Sequence, residues 1–409
     1  MRPIDPRPAP WWTARPALLR FVADLVAAEL AALRHEPANR PDTWTEALSL
    51  QHDLGMDSLE FLHVAGVLAG ALQMHHSGIE DYLLARRTLG DLVDIASAAL
   101  QHRDGEILFA TSGSSGQPKR VLHAVDALEQ EAQALAALFP GRKRVLVAVP
   151  SHHIYGFLFS QLLPRHLGME PRHVICIRSR LPSQLAHFAQ PGDLVVGHPQ
   201  FWQAATSVRP AFAAEIVGVS STAPCPDAVA EDAAACGLAA LFQVYGSSET
   251  GGLGWRASHQ DDYQLLPYLQ RAVDGEPGLV RTLPDGRSEG LQAQDELAWN
   301  GPRRFAVGAR RDGAVQVGGV NVFPARVREV LLEHPEVADA AVRLMRPDEG
   351  VRLKAFVVPR AGTDGADLVR RLRSWTDSRL AAPERPKALT AGSQLPRNAM
   401  GKLADWSIA

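Results

Sequence analysis

The stretch with the clearest chemical content is residues 111–119, Thr-Ser-Gly-Ser-Ser-Gly-Gln-Pro-Lys. Its glycines let backbone amides approach an anion without interference from a Cβ atom. Its hydroxyl groups add hydrogen-bond donors, and Lys119 adds a positive charge. This composition predicts a loop that holds a polyphosphate, although a Gly/Ser run by itself is more often a surface turn. The loop is not of the Walker type, because the spacing G-x-x-x-x-G-K-[ST] is absent.

The order of these residues resembles the phosphate loop of the adenylate-forming superfamily, which includes acyl-CoA synthetases, aryl-acid ligases and nonribosomal adenylation domains. The resemblance implies a loop that closes over the β- and γ-phosphates of ATP. It assigns to this loop the residues Thr111, Ser112, Gly113, Ser114, Ser115, Gly116 and Lys119.

A second motif lies at 242–252, Phe-Gln-Val-Tyr-Gly-Ser-Ser-Glu-Thr-Gly-Gly, and is similar to the superfamily's Y-G-x-[ST]-E-x-G. The resemblance implies that Tyr245 contacts adenine and the acyl group, and that Thr250 binds the α-phosphate. It makes Glu249 the ligand of Mg²⁺, a hard cation that prefers carboxylate oxygen. The remaining assignments are nucleotide contacts at Gly246, Ser247 and Ser248, and acid contacts at Gly251 and Gly252.

The acid is expected near Pro150-Ser-His-His-Ile-Tyr-Gly-Phe-Leu-Phe159, where Pro150, His153 and Gly156 match the superfamily's P-x-x-H-x-x-G. A strand end that delivers a histidine and a tyrosine into a cleft suits a carboxylate or an aromatic ring. We therefore predict that His153, Tyr155 and Gly156 bind the substrate, and that Trp202 adds to an aromatic environment. For an isolated histidine, a hydrated loop residue would be the simpler interpretation.

Several nucleotide contacts follow from looser similarity. Ser220–Pro224 looks like the superfamily's S-G-A-A-P turn, which implies that Ser221, Thr222 and Ala223 pack on adenine. Asp295 is the candidate for the ribose hydroxyls. Arg310 is the candidate for the second ribose contact, and Asp312 for the hinge, because Arg310-Arg-Asp312 is similar to G-R-x-D.

The C-terminal hundred residues carry two further matches. Residues 315–324 resemble V-G-G-x-N-V-x-P, and residues 395–403 resemble L-P-R-[NT]-x-x-G-K. The resemblance makes Lys402 the lysine that assists adenylation. It also implies a small domain that rotates about its hinge between half-reactions and brings Gly318 and Gly319 in to line a pantetheine tunnel.

Strands and helices must position these groups. Residues 106–110 read as a strand leading into the phosphate loop, and an amphipathic run begins near Val125. From 104 onward β and α segments alternate, which indicates a partly parallel sheet with helices on its faces. Further strands are predicted at 145–149, 194–197, 214–219, 337–344 and 354–359, and a helix at 325–334.

The N-terminal part is predicted to be helical. Apolar residues at helical spacing mark 18–33, Asp57 or Ser58 caps a second helix through about Leu72, Ile79 begins a short third and Thr88 caps a fourth. Over 16–100 this pattern, with DLGMDSLE and TLGDLVDI, resembles an acyl carrier protein. The resemblance would make Ser58 the site of a phosphopantetheine arm. Two interpretations stay open: a modified carrier, or an unmodified scaffold in which Ser58 belongs to a helix cap.

Composition sets outer limits. The chain has 409 residues, a net charge of −3 and 21% charged residues, which is ordinary for a globular protein and gives no nucleic-acid footprint. Its three cysteines lack metal-ligand spacing, so reduced thiols are expected. No apolar run is long enough for a signal peptide core or a membrane span, so we expect a cytoplasmic protein without membrane insertion.

These observations predict an α/β protein with a carrier-like helical bundle at 16–100, an adenylation core at 104–311 and a mobile lid at 312–409. The resemblance implies an ATP- and Mg²⁺-dependent acid–thiol ligase that loads a small carboxylic acid onto an acyl carrier protein or CoA. A hydroxybenzoate-type acid is the first choice, because short ligases of aryl polyene pigment pathways resemble the chain best. The alternatives are a short- or medium-chain fatty acid ligase and a catalytically weak carrier-interaction module that binds nucleotide.

Overall fold

The computed structural model describes residues 8–34, 44–85, 87–111, 119–272, 278–318, 320–346, 348–397 and 403–408. These residues form two compact units. The larger unit takes its described residues from Met1–Thr111, Lys119–Ala293 and Leu297–Ala306, and the smaller from Gln294–Glu296 and Val307–Ala409. The predicted lid lies within the smaller unit, and the N-terminal helices lie in the larger unit together with most of the predicted adenylation core. The carrier-like character of 16–100 stays a prediction.

The helices of the larger unit are α1 (Arg15–Arg34), α2 (Ser58–Ala71), α3 (Leu89–His102), α4 (Val125–Ala136), α5 (Ile154–Phe157), α6 (Leu163–His166), α7 (Leu185–Phe188), α8 (Pro199–Thr206) and α9 (Asp227–Ala235). A π-helical turn, Leu158–Leu162, joins α5 to α6. The predicted short third helix is a 3₁₀ segment, Glu80–Ala85. The described residues of the larger and smaller units include no helix long and apolar enough to cross a membrane.

The strands are β1 (Glu106–Thr111), β2 (Lys119–Ala124), β3 (Arg144–Val147), β4 (Val174–Cys176), β5 (Asp193–Gly197), β6 (Val217–Ser220), β7 (Ala240–Ser247), β8 (Gly251–Arg256), β9 (Tyr263–Leu265), β10 (Leu269–Arg271), β11 (Leu279–Thr282), β12 (Ser288–Leu291), β13 (Asp295–Trp299) and β14 (Arg304–Arg310). The main sheet has the order β13-β14-β9-β8-β7-β6-β5-β3-β4. Strands β4, β3, β5, β6 and β7 are parallel, as the β/α alternation predicted. The predicted strand at 214–219 begins only at Val217, because Glu215 has a left-handed φ of +64° that extended backbone excludes.

The smaller unit contains β15 (Val315–Val317), β16 (Val320–Val322), α10 (Pro324–Leu332), β17 (Val337–Leu344), β18 (Leu353–Pro359), α11 (Gly365–Arg379) and β19 (Ala388–Ala391). Strands β17 and β18 are antiparallel, and β18 and β19 are parallel. Both helices pack on this sheet around an apolar core that includes Val327, Val357 and Leu372. The helix and strands predicted at 325–334, 337–344 and 354–359 are therefore present.

Helix α1 is built into the core of the larger unit. Trp11, Phe21 and Phe109 all contact the ring of Phe157, at centroid distances of 4.9, 5.9 and 5.5 Å. Large aromatic side chains that meet edge to face contribute both apolar burial and a favourable ring geometry. The N-terminal helices thus share their hydrophobic core with α5 and with β1.

Candidate active site

The two sharpest motifs of the sequence meet in the larger unit. Strands β1 and β2 form the hairpin that carries the predicted phosphate loop, and Lys119 is the first residue of β2. Lys119 Nζ lies 2.8 Å from Glu249 Oε1, on the turn between β7 and β8. The half-exposed lysine can meet a phosphate, and the pair itself contributes little to stability because solvent screens it.

His123 makes a second contact between the same two segments. Its Nε2 lies 2.6 Å from the carbonyl oxygen of Ser248, so this nitrogen carries the hydrogen and donates it. Burial lowers the pKa of the His123 imidazole, which keeps the ring neutral. Sequence analysis missed this residue, although a histidine on a strand that leads out of a phosphate loop is a usable signal.

The Glu249 carboxyl is held in its charged form. Burial by itself would raise its pKa, but hydrogen bonds from Lys119, the backbone and Ser247 bring the pKa below its usual value. An ionised, half-buried carboxylate is a suitable donor for Mg²⁺, which prefers hard oxygen ligands. The donor chemistry at this position therefore fits the predicted metal.

The turn that presents Glu249 is tightly built. The hydroxyls of Ser247 and Thr250 lie 3.1 Å apart, and Thr250 Oγ1 also donates to Gly251 O at 2.9 Å. A bulge follows Tyr245, and a Cβ atom on Gly246 would lie 2.2 Å from Gly251 O. Glycine at 246 is therefore required by close backbone approach, whatever its contact with nucleotide.

Glu131 on α4 contacts the start of β8, directly after the turn, and sequence analysis missed this residue as well. Its fully buried Oε1 accepts a hydrogen bond from the backbone N–H of Gly252 at 2.8 Å. A signal was available, because Glu131 interrupts an apolar helix stripe made by Ala127, Leu128 and Leu135.

The predicted adenine region lies where β6 and β7 end. Tyr245 packs against Tyr263 and Phe305, each at 5.7 Å between ring centroids. On the adjoining turn Thr222 has φ of +76°, a strained conformation for a β-branched residue. Backbone strain of this kind concentrates at functional sites and supports, as a hypothesis, a binding role for the turn.

Gln243 adds an unassigned polar group beside that region. Its Oε1 accepts two hydrogen bonds from Arg256, at 2.8 and 3.1 Å, whereas its buried Nε2 has no hydrogen-bond partner among the described residues. A buried amide nitrogen without an acceptor is costly unless a ligand or a water supplies one. A base with ring acceptors fits this requirement.

The predicted acid-binding residues have different surroundings. The His153 side chain is exposed, yet partial desolvation by the surrounding protein lowers the pKa of its imidazole. Tyr155 is buried and donates its hydroxyl to Gly197 O at 3.0 Å. Gly156 approaches Pro150 so closely that a Cβ atom would lie 1.9 Å from the Pro150 carbonyl oxygen. Trp202 is fully buried and donates its Nε1–H to Val219 O at 3.0 Å. These contacts hold Tyr155, Gly156 and Trp202 in the fold, and His153 is the exposed member of the set. Acid binding by Tyr155 and Gly156 stays a prediction.

The remaining candidates belong to the smaller unit or lie outside the described residues. Arg310 pairs with Asp312 at 2.6 Å, and this hydrogen-bonded pair holds the pKa of the Asp312 carboxyl below its usual value. Asp295 begins β13, and Gly318 has φ of +63° at the turn between β15 and β16. The predicted positions that lie outside the described residues are Ser112, Gly113, Ser114, Ser115, Gly116, Gly319 and Lys402.

Comparison with known proteins agrees with the fold and the motifs. Residues 88–272 match the AMP-binding enzyme family, and residues 327–402 match the AMP-binding enzyme C-terminal domain. Over 96% of both chains the protein is 38% identical to a 4-coumarate–CoA ligase of Cereibacter sphaeroides. It is 37% identical to a 4-coumarate–CoA ligase of Halorhodospira halophila, over 94% of this chain and 98% of the relative.

Solved structures show the same fold at lower identity. An amide bond synthetase of Marinactinospora thermotolerans is 17% identical with a TM-score of 0.59, over 94% of this chain and 92% of the other. A double mutant of o-succinylbenzoate CoA synthetase from Bacillus subtilis is 22% identical with a TM-score of 0.57, over 73% of this chain and 67% of the other. The family match and the two whole-length relatives show that the chain belongs to the AMP-binding enzyme family. Within that family it is an enzyme of the acid–thiol ligase class.

Proposed function

We propose that the protein activates a hydroxylated aromatic carboxylic acid of the 4-coumarate type with ATP and Mg²⁺ and transfers the acyl group to the thiol of CoA. The observation that carries the proposal is the whole-length relationship to proteins named 4-coumarate–CoA ligase, at 38% and 37% identity. The approach of Lys119 and Glu249 to 2.8 Å supports it, because it brings together a cation and a carboxylate suited to a metal nucleotide.

The chemistry divides into two displacements. In the first, a carboxylate oxygen attacks the α-phosphorus of ATP, an acyl adenylate forms and pyrophosphate leaves. In the second, the thiol sulfur attacks the acyl carbon, a thioester forms, AMP leaves and the thiol proton passes to solvent or base. Charge accumulates on phosphoryl oxygens in the first step, so positioned cations lower its barrier.

The site residues keep the roles proposed from the sequence. Lys119 and the 111–119 loop would hold the phosphates, Thr250 the α-phosphate, and Lys402 would assist the first displacement. Glu249 would hold Mg²⁺, which when bound neutralises charge on the phosphate oxygens. His153 would face the acid. Asp295 and Arg310 would contact the ribose, and Gly318 and Gly319 would line the path of the pantetheine arm.

Two finer alternatives belong to the same proposal. The acid could be a hydroxybenzoate, and the acceptor could be a carrier protein, including a phosphopantetheine arm on Ser58 of the same chain. The fatty acid alternative has less support, because the relatives named above act, by their names, on an aromatic acid.

The test is pyrophosphate release with ATP and Mg²⁺ across 4-coumarate, 4-hydroxybenzoate, benzoate, octanoate and butyrate, followed by product analysis with CoA and with a phosphopantetheinylated carrier protein. We expect the largest kcat/KM with 4-coumarate and a CoA thioester as product. Lys402→Ala should abolish pyrophosphate release while thioester formation from supplied coumaroyl adenylate continues. Faster turnover of octanoate than of every aromatic acid would contradict the proposal.

A further inference from the structure

The carboxyl group of Glu131 lies directly behind the turn that presents Glu249 and Thr250. Its Oε1 accepts the Gly252 N–H at 2.8 Å. A Cβ atom on Gly251 would lie 2.5 Å from Glu131 Oε2, and one on Gly252 would lie 2.5 Å from Oε1. Both glycines of the motif are therefore in close contact with one carboxylate, which leaves no room for larger residues.

Other buried polar groups surround the carboxylate. Tyr268 donates its hydroxyl hydrogen to Gly252 O at 3.2 Å, which leaves Glu131 Oε2 without a hydrogen bond among the described residues. The Arg281 guanidinium lies 4.5 Å from the Tyr268 ring centroid, donates to Gln130 Oε1 at 3.1 Å and also donates to Ala127 O. These contacts tie α4 to β11 and Gly252 to α4.

This arrangement is a poor way to stabilise a fold. A fully buried carboxylate with a single hydrogen bond loses more hydration than the bond returns, and an apolar side chain of similar size would pack at lower cost. Burial raises the pKa of the Glu131 carboxyl to about 7, although the Arg281 charge and the Gly252 N–H limit the rise. Burial of the Glu131 carboxyl therefore costs more free energy than burial of an apolar side chain at the same position would.

We propose that Glu131 is a positioning residue for the adenylation step, because its hydrogen bond to Gly252 holds the β7–β8 turn, and with it Glu249 and Thr250, in place for the metal nucleotide. The proposal rests on the roles given above to Glu249 and Thr250. The proposed role of Glu131 is exerted through its hydrogen bond to Gly252. The same helix α4 follows the phosphate-loop hairpin, so one element sets both halves of the site.

The test compares Glu131→Ala, Glu131→Gln and Glu131→Asp with a matched control, Glu129→Gln. Glu129 lies on the same helix but pairs with Arg165 and His166, away from the turn. We expect Glu131→Ala to lower kcat for pyrophosphate release by about 10- to 100-fold and to raise the Mg²⁺ concentration needed for half activity, as for lost partners of metal ligands. The KM for the acid should stay within about twofold of the wild-type value.

Rescue distinguishes positioning from packing. Glutamine keeps an acceptor oxygen for the Gly252 N–H, so Glu131→Gln should recover most of kcat, whereas Glu131→Asp, shorter by one methylene, should not. Glu129→Gln should keep the wild-type kcat and Mg²⁺ dependence. Wild-type kinetics in Glu131→Asp, or an equal loss in Glu129→Gln, would overturn the proposal.

Two further measurements keep the outcome clear. If Glu131→Ala fails to fold, the comparison of Glu131→Asp with Glu131→Gln distinguishes a positioning role from a packing role. If the wild-type protein releases pyrophosphate with none of the acids tested, the proposed function fails independently of the role of Glu131. Calorimetric measurement of Mg·ATP binding to the wild type and the Glu131 variants then tests the role of Glu131. Unchanged Mg·ATP affinity in a folded Glu131→Asp would count against the positioning role.

Discussion

At the scale of single residues, the charge state of buried carboxyls links this site to pH. Glu131 and Glu129 lie two positions apart on α4, yet their environments act in opposite directions. Burial raises the pKa of Glu131 to about 7. At Glu129 burial also opposes the charge, but hydrogen bonds from His166 and Arg165 outweigh it and the net pKa is lowered. The two residues therefore form an internal pair for a stability experiment.

We predict that Glu131→Gln becomes more stable relative to wild type as pH rises from about 5 to about 7.5. The folded protein keeps the Glu131 proton up to about pH 7, whereas the unfolded chain releases it near pH 4.5. The free energy of unfolding of the wild type therefore falls across this window by up to about 3 kcal/mol, and the glutamine variant lacks this loss.

Thermal unfolding of both variants at several pH values checks the prediction. Glu129→Gln should show the opposite sign: its lowered folded-state pKa contributes stability above the unfolded-state pKa, and that stability is lost as pH falls. Parallel stability curves for Glu131→Gln and wild type would mean that Glu131 does not titrate in this window.

At the scale of elements, α1 is attached to the segment that begins the predicted acid site. The buried Asp24 carboxylate accepts hydrogen bonds from Ser151 N and Ser151 Oγ at 2.7 Å each, and it pairs with Arg178. Burial lowers the pKa of the Arg178 guanidinium to about 10, so this arginine depends on its partner. Ser151 lies two residues before His153, and α1 thereby helps to fix the accessible histidine.

We predict that Asp24→Ala lowers the free energy of unfolding by about 3–5 kcal/mol, because it leaves Arg178 buried without a counter-charge. In a folded sample it should also raise the KM for the acid more than the KM for ATP. The double variant Asp24→Leu/Arg178→Leu should recover a large part of the stability. Denaturant unfolding and steady-state kinetics measure both effects.

Glu29 provides the control on the same helix. Its pair with His63 is partly exposed, so Glu29→Ala should lower the free energy of unfolding by at most about 1 kcal/mol. If Asp24→Ala also lowered the free energy of unfolding by no more than about 1 kcal/mol, the buried pair of Asp24 and Arg178 would not hold α1 to the segment that contains Ser151.

At the scale of the whole molecule, the N-terminal helices share a core with the rest of the larger unit through Phe157. The structure also decides which residue caps α2. The Asp57 side chain accepts from the N–H groups of Leu59 and Glu60, and Glu60 completes a capping box, while Ser58 is the exposed first residue of the helix. The cap interpretation of Ser58 is therefore wrong, and its role as a phosphopantetheine site stays a prediction.

We predict that Ser58→Ala keeps ligase turnover and changes stability by at most about 0.5 kcal/mol, because the cap belongs to Asp57. Asp57→Ala, the control, should cost about 0.5–2 kcal/mol. Removal of residues 1–104 should give insoluble protein, since the aromatic core loses Trp11 and Phe21. Intact-mass spectrometry after incubation with CoA and a broad-specificity phosphopantetheinyl transferase completes the test, and stoichiometric addition at Ser58 would show a self-loading carrier instead of a scaffold.

The sequence by itself predicted the class of chemistry and the elements with the clearest periodicity. The motifs at 111–119 and 242–252 are local strings whose residue types predict what they bind, and the helices at 18–33 and after Thr88 follow from periodicity and caps. The predicted parallel strands are also present, because buried strands are short apolar runs bounded by turns.

Only the tertiary structure decided which distant groups support the site. Glu131 meets Gly252, His123 meets Ser248, and Asp24 meets Ser151 across more than a hundred residues in each case. Local pattern cannot specify such pairs, because they depend on how α1, α4 and the β7–β8 turn pack in space. The hydrogen bond from the Tyr155 hydroxyl to the carbonyl of Gly197 is a further contact that local pattern does not specify, and acid binding by Tyr155 stays a prediction.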